Sequence, residues 1–173
     1  MLIDRMLKND VYYFHQTPEE LCKQLIKYIP LEEGDRVLEP FRGEGAFYNN
    51  FPENVTKDWC ELTEGRCYTS HDKEIDWVVT NPPFRLETAT KRVNSFYFLL
   101  NYYLPRVKKG IAFLINDKCL PSLTPKRINL MNQQGFYVNK IVVCNVKKWR
   151  GRYFWIIISK IKNDFYEGIE KSF

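Results

Sequence analysis

The sequence predicts an α/β fold: a mostly parallel sheet that ends in a C-terminal antiparallel hairpin. Through the first two thirds of the chain, short apolar runs alternate with segments of helical periodicity, the order of strands joined by crossover helices. The last third is different. Two long β-rich segments, 137–146 and 153–161, flank residues 147–152, which has the pattern of a hairpin. The chain has 173 residues, 45% hydrophobic and 27% charged, which suits one domain with a buried core. With no internal repeat, low-complexity tract or Ser/Gly linker, residues 1–173 read as a single domain.

Each element has a local cause. Thr17-Pro18-Glu19-Glu20 ahead of Leu21, Leu25, Ile26 and Ile29 predicts a helix, with Thr17 as cap, Pro18 at the first helical position and Glu20 closing the capping box. Residues 30–34 end it at Pro30 and Gly34. Residues 35–40 form a short strand, followed by the glycine turn Phe41-Arg42-Gly43-Glu44-Gly45 and a segment expected to be helical from Ala46. Residues 58–62 are a second strand and 75–80 a third, running directly into Asn81-Pro82-Pro83-Phe84. Residues 87–104 carry Ala89, Val93, Phe96, Tyr97 and Leu100 at helical spacing; 110–115 is an apolar buried strand, and 125–134 a short basic helix.

Charge divides the chain. Residues 1–84 carry 9 Lys+Arg against 16 Asp+Glu, whereas residues 85–173 carry 17 against 5. Between Arg85 and Lys162 the acids are Glu87 and Asp117 alone. Such a basic half predicts an electropositive face suited to a phosphate backbone, and 16% aromatic residues add stacking groups. Five cysteines, Cys22, Cys60, Cys67, Cys119 and Cys144, contain no C-x-x-C pair, which argues against a disulfide framework or zinc knuckle. His15 and His71 have no ligand set around them, so no metal is expected. Reduced thiols, the absence of a long apolar run and the charged residues 1–10 predict a soluble cytoplasmic protein that does not meet a membrane.

In an open α/β sheet, ligands sit beyond the carboxyl ends of the strands where the strand order reverses. Two loops leave strand ends in that manner. The first is the stretch from Glu39 and Pro40 through Gly43 and Gly45, whose glycines admit a ligand close to the main chain but lack the full G-x-G-x-x-G pattern. The second is Asn81-Pro82-Pro83-Phe84. Two consecutive prolines stiffen the chain and donate nothing, which leaves the Pro82 carbonyl a fixed acceptor beside the Asn81 side-chain oxygen.

These residues resemble the class I S-adenosylmethionine-dependent methyltransferases, within them the N-P-P-[YFW] enzymes that modify adenine N6 in nucleic acids, and the likeness runs over residues 12–158. It implies a Rossmann-like methyltransferase sheet and S-adenosyl-L-methionine as cofactor. It also implies roles. Phe14, His15 and Thr17 resemble the N-terminal motif that holds the methionine carboxylate; Glu39, Pro40, Gly43 and Gly45 resemble the loop under the methionine moiety; Glu61 resembles the acid that accepts from both ribose hydroxyls. Cys67-Tyr68 stand where the family commonly has Asp-Phe against the cofactor adenine, and Asp72 is the nearest acid.

The same resemblance makes Asn81, Pro82, Pro83 and Phe84 the catalytic group, with Phe84 stacking on an extruded base. Arg85 and the hairpin tip, Lys147, Lys148, Trp149, Arg150 and Arg152, are expected to contact the nucleic acid, DNA slightly ahead of RNA. The chain has no room for a separate target-recognition domain, so a protein partner that supplies sequence recognition is an open expectation. Three alternatives stay open: a protein-glutamine methyltransferase, a cytosine-N4 methyltransferase of the same fold, and a catalytically silent nucleic-acid-binding subunit.

Overall fold

Ile75–Thr80 is apolar at four of its six positions and so needs cover on both faces, which makes it a central strand. The structure, a computed structural model, describes residues 16–87, 92–147 and 149–170. Its strands are β1 (Arg36–Glu39), β2 (Thr56–Trp59), β3 (Ile75–Thr80), β4 (Arg85–Glu87), β5 (Arg92–Asn94), β6 (Val107–Asn116), β7 (Tyr137–Cys144) and β8 (Tyr153–Ser159). The α-helices among the described residues are α1 (Glu19–Ile26), α2 (Ser95–Tyr103) and α3 (Pro125–Gln133).

Six strands make one sheet in the order β2-β1-β3-β6-β8-β7. The first four run parallel, and β8 runs antiparallel to both β6 and β7, so the expected parallel sheet with a C-terminal antiparallel hairpin is what the chain forms. All six residues of β3 are buried. Period-two alternation sends Val78, Ile111, Phe113, Ile156 and Ile158 to one face, where Phe96, Leu99, Leu100 and Tyr103 of α2 cover them. Trp77, Val79, Leu114, Trp155 and Ile157 fill the other face beneath Cys22, Leu25 and Ile26 of α1. Phe47 completes that side, stacked on Trp155 with ring centroids 5.2 Å apart and an interplanar angle of 9°.

Four local expectations differ from what the chain does. The second strand runs Thr56–Trp59 rather than 58–62, because Glu61 turns the chain into the 3-10 turn Leu62–Glu64 by accepting from the Thr63 amide. Helix α1 begins at Glu19 with Pro18 as its cap residue and no side-chain cap bond, so Thr17 does not cap it. Its hydroxyl is engaged elsewhere, as described below. After the glycine turn no helix grows from Ala46: a single 3-10 turn, Tyr48–Asn50, stops at Phe51, which Pro52 holds in an extended conformation. Residues 87–104 are not one helix either. β4 and β5 pair antiparallel first, and α2 starts only at Ser95, because Asn94 caps it by accepting from the Phe96 amide at 3.1 Å.

Sheet packing is tightest at Gly110. A Cβ there would stand 2.5 Å from the Ile158 carbonyl oxygen and 2.7 Å from the Trp77 ring. Gly110→Ala is therefore expected to cost about 1–3 kcal/mol, the range of core overpacking. A urea melt reads this as a lower midpoint at unchanged slope; an unchanged midpoint would mean that β6 and β8 separate without cost.

Candidate active site at the carboxyl ends of the strands

The order of strands reverses at β1, which has β2 on one side and β3 on the other, and the loops after β1 and β3 open at that point. After β1, Arg42 N–H donates to the Cys60 carbonyl at 3.0 Å and Gly45 N–H to the Arg42 carbonyl at 2.8 Å, so the glycine turn is pinned to the end of β2. Gly43 (φ 54°) and Gly45 (φ 87°) both lie in the left-handed region that disfavours side chains. The Gln16 amide lies over the turn, with its nitrogen 3.3 Å from where a Gly43 Cβ would be.

Two carboxyls support the turn from beneath. Glu61, 7% exposed at the end of β2, accepts from Gly43 N–H at 2.8 Å and from the Thr63 amide and hydroxyl at 3.1 and 2.9 Å. Three donors occupy three of about four acceptor positions on a carboxylate. Glu39, 2% exposed, accepts from Tyr48 N–H at 2.7 Å. Burial pushes its carboxyl well above the ordinary range, and this outweighs the Tyr48 amide and the Arg42 charge, which pull it down. Pro40 is buried beside it.

Next to Glu61, Trp59 lies between two guanidinium groups, Arg42 and Arg66, each 3.9 Å from its ring centroid. Arg42 pairs with Glu64, and Arg66 with Asp58 at 2.8 Å. Asp58 is held down at about 2: burial raises it, but Lys73, the Trp59 amide and Arg66 together outweigh burial. Cys67 is half-buried with its sulfur 3.1 Å from the Thr69 hydroxyl oxygen. Tyr68 packs on Phe41 and Tyr102, with centroids 5.2 and 5.4 Å away. Asp72 is exposed.

Strand β3 delivers the second loop. Pro82 is buried, while Asn81, Pro83 and Phe84 are half-buried. The Asn81 amide nitrogen donates to the Thr17 hydroxyl oxygen at 3.1 Å, and Thr17 is itself 7% exposed. Phe84 packs on Tyr153 with centroids 6.0 Å apart, and Tyr153 on Trp149 at 4.7 Å. This row of rings joins the loop after β3 to the tip of the β7–β8 hairpin. The tip stands at the same end of the sheet because Asn116 pairs with Tyr153 and Asp117 N–H donates to the Arg152 carbonyl at 3.0 Å.

Most of the site expected from sequence thus meets in one place: Thr17, Glu39, Pro40, Gly43, Gly45, Glu61 and Asn81 to Phe84. Lys147, Arg150 and Arg152 are exposed around the tip, whereas Trp149 is half-buried against Tyr153 rather than standing free. Phe14, His15 and Lys148 lie outside the described residues, as does the side chain of Arg85. Tyr153 was missed. Its signal was the alternation along β8, which puts it on the face of Trp155 and Ile157, next to the loop after β3.

Cations sort by end. Lys108 and Lys109, at the start of β6, pair with Glu74 and with Glu32 and Asp35 at the amino end of the sheet. At the carboxyl end, Lys118, Lys126, Lys147, Arg150 and Arg152 form no ion pair among the described residues. A cavity of about 210 Å³ lies over the opening residues of β1 and β2, lined by Arg36, Thr56, Asp58, His71, Lys73 and Glu74. Arg36, Asp58, Lys73 and Glu74 pair with one another or with Asp76, Lys57 of the same lining donates to the Tyr48 carbonyl, and the cavity is not where the loops converge. No group of metal-ligating side chains is present, and no helix is long and apolar enough to cross a membrane, among the described residues.

No protein-family model matches the sequence, and no curated protein matches it. Solved structures do match in fold. A putative class I S-adenosylmethionine-dependent methyltransferase from Listeria monocytogenes superposes with a TM-score of 0.64 at 13% identity, over 98% of this chain and 68% of that one. TrmN from Thermus thermophilus gives 0.58 at 16%, over 83% of this chain and 49% of its own. A putative RNA methyltransferase from Pyrococcus horikoshii gives 0.56 at 15%, over 90% and 92%. The chain therefore spans about half the length of TrmN and most of the Pyrococcus protein. The sheet is a Rossmann-like methyltransferase fold.

Glu39 makes the site sensitive to pH. Its folded carboxyl keeps a proton to higher pH than in the unfolded chain, where it titrates near 4.5. The unfolded state then binds fewer protons above that value, so stability falls as pH rises from about 4.5 toward the folded pKa. Glu39→Gln removes this slope and keeps an acceptor for Tyr48. Thermal midpoints of the variant are expected to decline less than those of the unaltered chain between about pH 5 and pH 8; parallel declines would mean that Glu39 is ionised in the fold.

Proposed function

We propose that this chain transfers a methyl group from S-adenosyl-L-methionine to the N6 amino group of adenine in nucleic acid. The observation that carries the reading is the meeting of Asn81-Pro82-Pro83-Phe84 with the glycine turn at the reversal of strand order, beneath a cationic hairpin. The donor set suits the cofactor. Positive φ at Gly43 and Gly45 leaves main chain open to a ligand, and Glu61 offers a carboxylate at the end of β2. One acceptor position on Glu61 is open, and exchange of the Thr63 hydroxyl gives the second that a ribose diol needs. The cofactor supplies a methyl group on a positively charged sulfur, already activated for displacement.

The chain's own task is to make a poor nucleophile competent. The lone pair of an exocyclic adenine amine is delocalised into the ring. If the Asn81 side-chain oxygen and the Pro82 carbonyl accept its two N–H bonds, negative potential grows at nitrogen and the lone pair can turn toward the methyl carbon. Displacement in line then needs position more than proton transfer: the new nitrogen–carbon bond forms as the carbon–sulfur bond breaks, the thioether S-adenosylhomocysteine leaves, and the extra proton on the methylated nitrogen passes to water. Phe84, backed by Tyr153, offers its ring to the extruded base, and the unpaired cations at this end take phosphates. The likeness to a putative RNA methyltransferase supports a nucleic acid as the polymer.

A second reading has its own observation. Between β2 and β3 the chain has only two 3-10 turns, with Cys67-Tyr68 in place of an acid and aromatic pair, which would suit a silent subunit that no longer holds the cofactor adenine. One assay separates the two. Labelled S-adenosylmethionine is incubated with duplex DNA, single-stranded DNA and RNA, and nucleosides are read by mass spectrometry. Labelled N6-methyladenine in one pool is expected and names the polymer; cofactor binding without any label points to a missing partner or a glutamine substrate, and no binding points to the silent subunit.

Two variants add detail. Asn81→Ala is expected to abolish transfer while S-adenosylhomocysteine still binds, as calorimetry reads; lost binding in a folded variant would assign Asn81 to the cofactor. Replacing Lys147, Arg150 and Arg152 together by Ala removes up to three phosphate contacts and lowers the slope of log K against log salt by about 2–3. An unchanged slope would take the hairpin off the substrate face.

A further inference from the structure

An asparagine that must accept a hydrogen bond faces an ambiguity that a carboxylate does not. Its amide is nearly symmetric in shape, and a half-turn about the last side-chain bond replaces the acceptor oxygen by a donor –NH2. A donor aimed at an amine accepts nothing from it. The acceptor role assigned to Asn81 therefore requires something to hold the amide one way round.

The structure supplies a group for this. The Asn81 amide nitrogen is 3.1 Å from the Thr17 hydroxyl oxygen, so the amide oxygen, on the far side of a planar group, is directed away from Thr17. Thr17 is 7% exposed and sits just ahead of α1, on the sheet face that carries Trp77 and Val79. Its immediate neighbour Gln16 lies against Gly43 of the glycine turn. Residues 16 and 17 thus touch both loops of the site, one with each side chain.

A hydroxyl has one proton and two lone pairs. Left to itself, Thr17 can serve either orientation of Asn81, as acceptor to the nitrogen or as donor to the oxygen. Once an anion beside the glycine turn accepts the Thr17 hydroxyl's hydrogen bond, only lone pairs remain, and Asn81 must present its –NH2 to Thr17 and turn its oxygen to the far side of the amide. We propose that Thr17 is a positioning residue: it sets the amide of Asn81, and it makes acceptance of the substrate amine depend on the anionic end of the ligand in the glycine turn. This rests on the reading of the site given above.

The test measures coupling as well as turnover. Affinity for an adenine-containing oligonucleotide of the polymer that is methylated is measured by anisotropy with and without S-adenosylhomocysteine, whose amino-acid carboxylate stands in for that of the methyl donor. In the unaltered chain the ligand is expected to tighten oligonucleotide binding by about fivefold. In Thr17→Val this tightening vanishes and kcat at saturating cofactor falls by about tenfold, while the oligonucleotide affinity without ligand is unchanged. Thr17→Ser keeps the hydroxyl and is expected to keep both coupling and kcat. Thr17→Ala serves if the valine variant does not fold.

Retained coupling and kcat in the hydroxyl-free variant overturn the inference. So does a weaker S-adenosylhomocysteine affinity with kcat intact at saturation, which makes Thr17 a cofactor anchor alone, and so does a serine variant as impaired as the valine one. Asn81→Ala keeps the two levels apart: transfer that survives it, or no transfer by the unaltered chain, sinks the proposed function and this inference with it. Full loss in Asn81→Ala with no effect at Thr17 sinks this inference only.

Discussion

Strand β3 lies between β1 and β6 with every residue buried, and the two prolines after it cannot donate to a sheet ladder, so it has to end where Asn81 begins. Much else depends on that ending. Because β1 and β2 run parallel to β3, their loops open at the same edge, and because β8 runs antiparallel to β6, the hairpin tip returns there too. Glycine turn, proline loop and cationic tip are therefore neighbours through hydrogen-bond direction alone, before any side chain of the site is considered.

The cover of the sheet is uneven, and this bears on function. The face that holds Trp77 and Trp155 is closed by α1 and by Phe47, with only a 3-10 turn where the spacing after Ala46 predicts a helix. On the opposite face α2 covers β3 and β6, but the path from β2 to β3 has only two 3-10 turns, and a cavity is left over β1 and β2. The domain spends little chain on scaffold. What it keeps, one layer around Trp77 and Trp155 and another around Phe96 and Phe113, holds the ends of β1 and β3 in place.

Electrostatics follows the same polarity. Acids before β1 and β3 pair with Lys108 and Lys109 at the amino end, which removes those lysines from the charge available to a partner. At the carboxyl end, cations of the later segments are left without acidic partners among the described residues. A total of +5 is thus distributed unevenly: Glu32, Asp35 and Glu74 hold lysines at the amino end, while Glu39, Glu61 and Glu64 stay with the glycine turn and leave the cations of the hairpin tip unpaired among the described residues.

The central strands were legible in the amino-acid sequence because burial on both faces demands unbroken apolar runs and solvent does not: 75–80 and 110–115 announce themselves, β7 and β8 differ from expectation only at their ends, and the half-exposed edge strand β2 begins two residues earlier than expected. The capped helix at Thr17 and the long helix over 87–104 were not legible in the same way. Local capping and spacing rules compete with tertiary partners, and here Asn81 recruits Thr17 and Asn94 starts α2 late. The proline loop and the glycine turn were marked by residue types that restrict the main chain, which is a local property. Sequence alone thus marked the central strands, the terminal hairpin and the two loops, whereas β4 and β5 pair where the spacing predicts a helix. Tertiary structure decided that Thr17 meets Asn81, that Tyr153 joins Phe84 to Trp149, and which lysines stay unpaired, since each depends on groups far apart in the chain that only the closed sheet brings within a few ångströms.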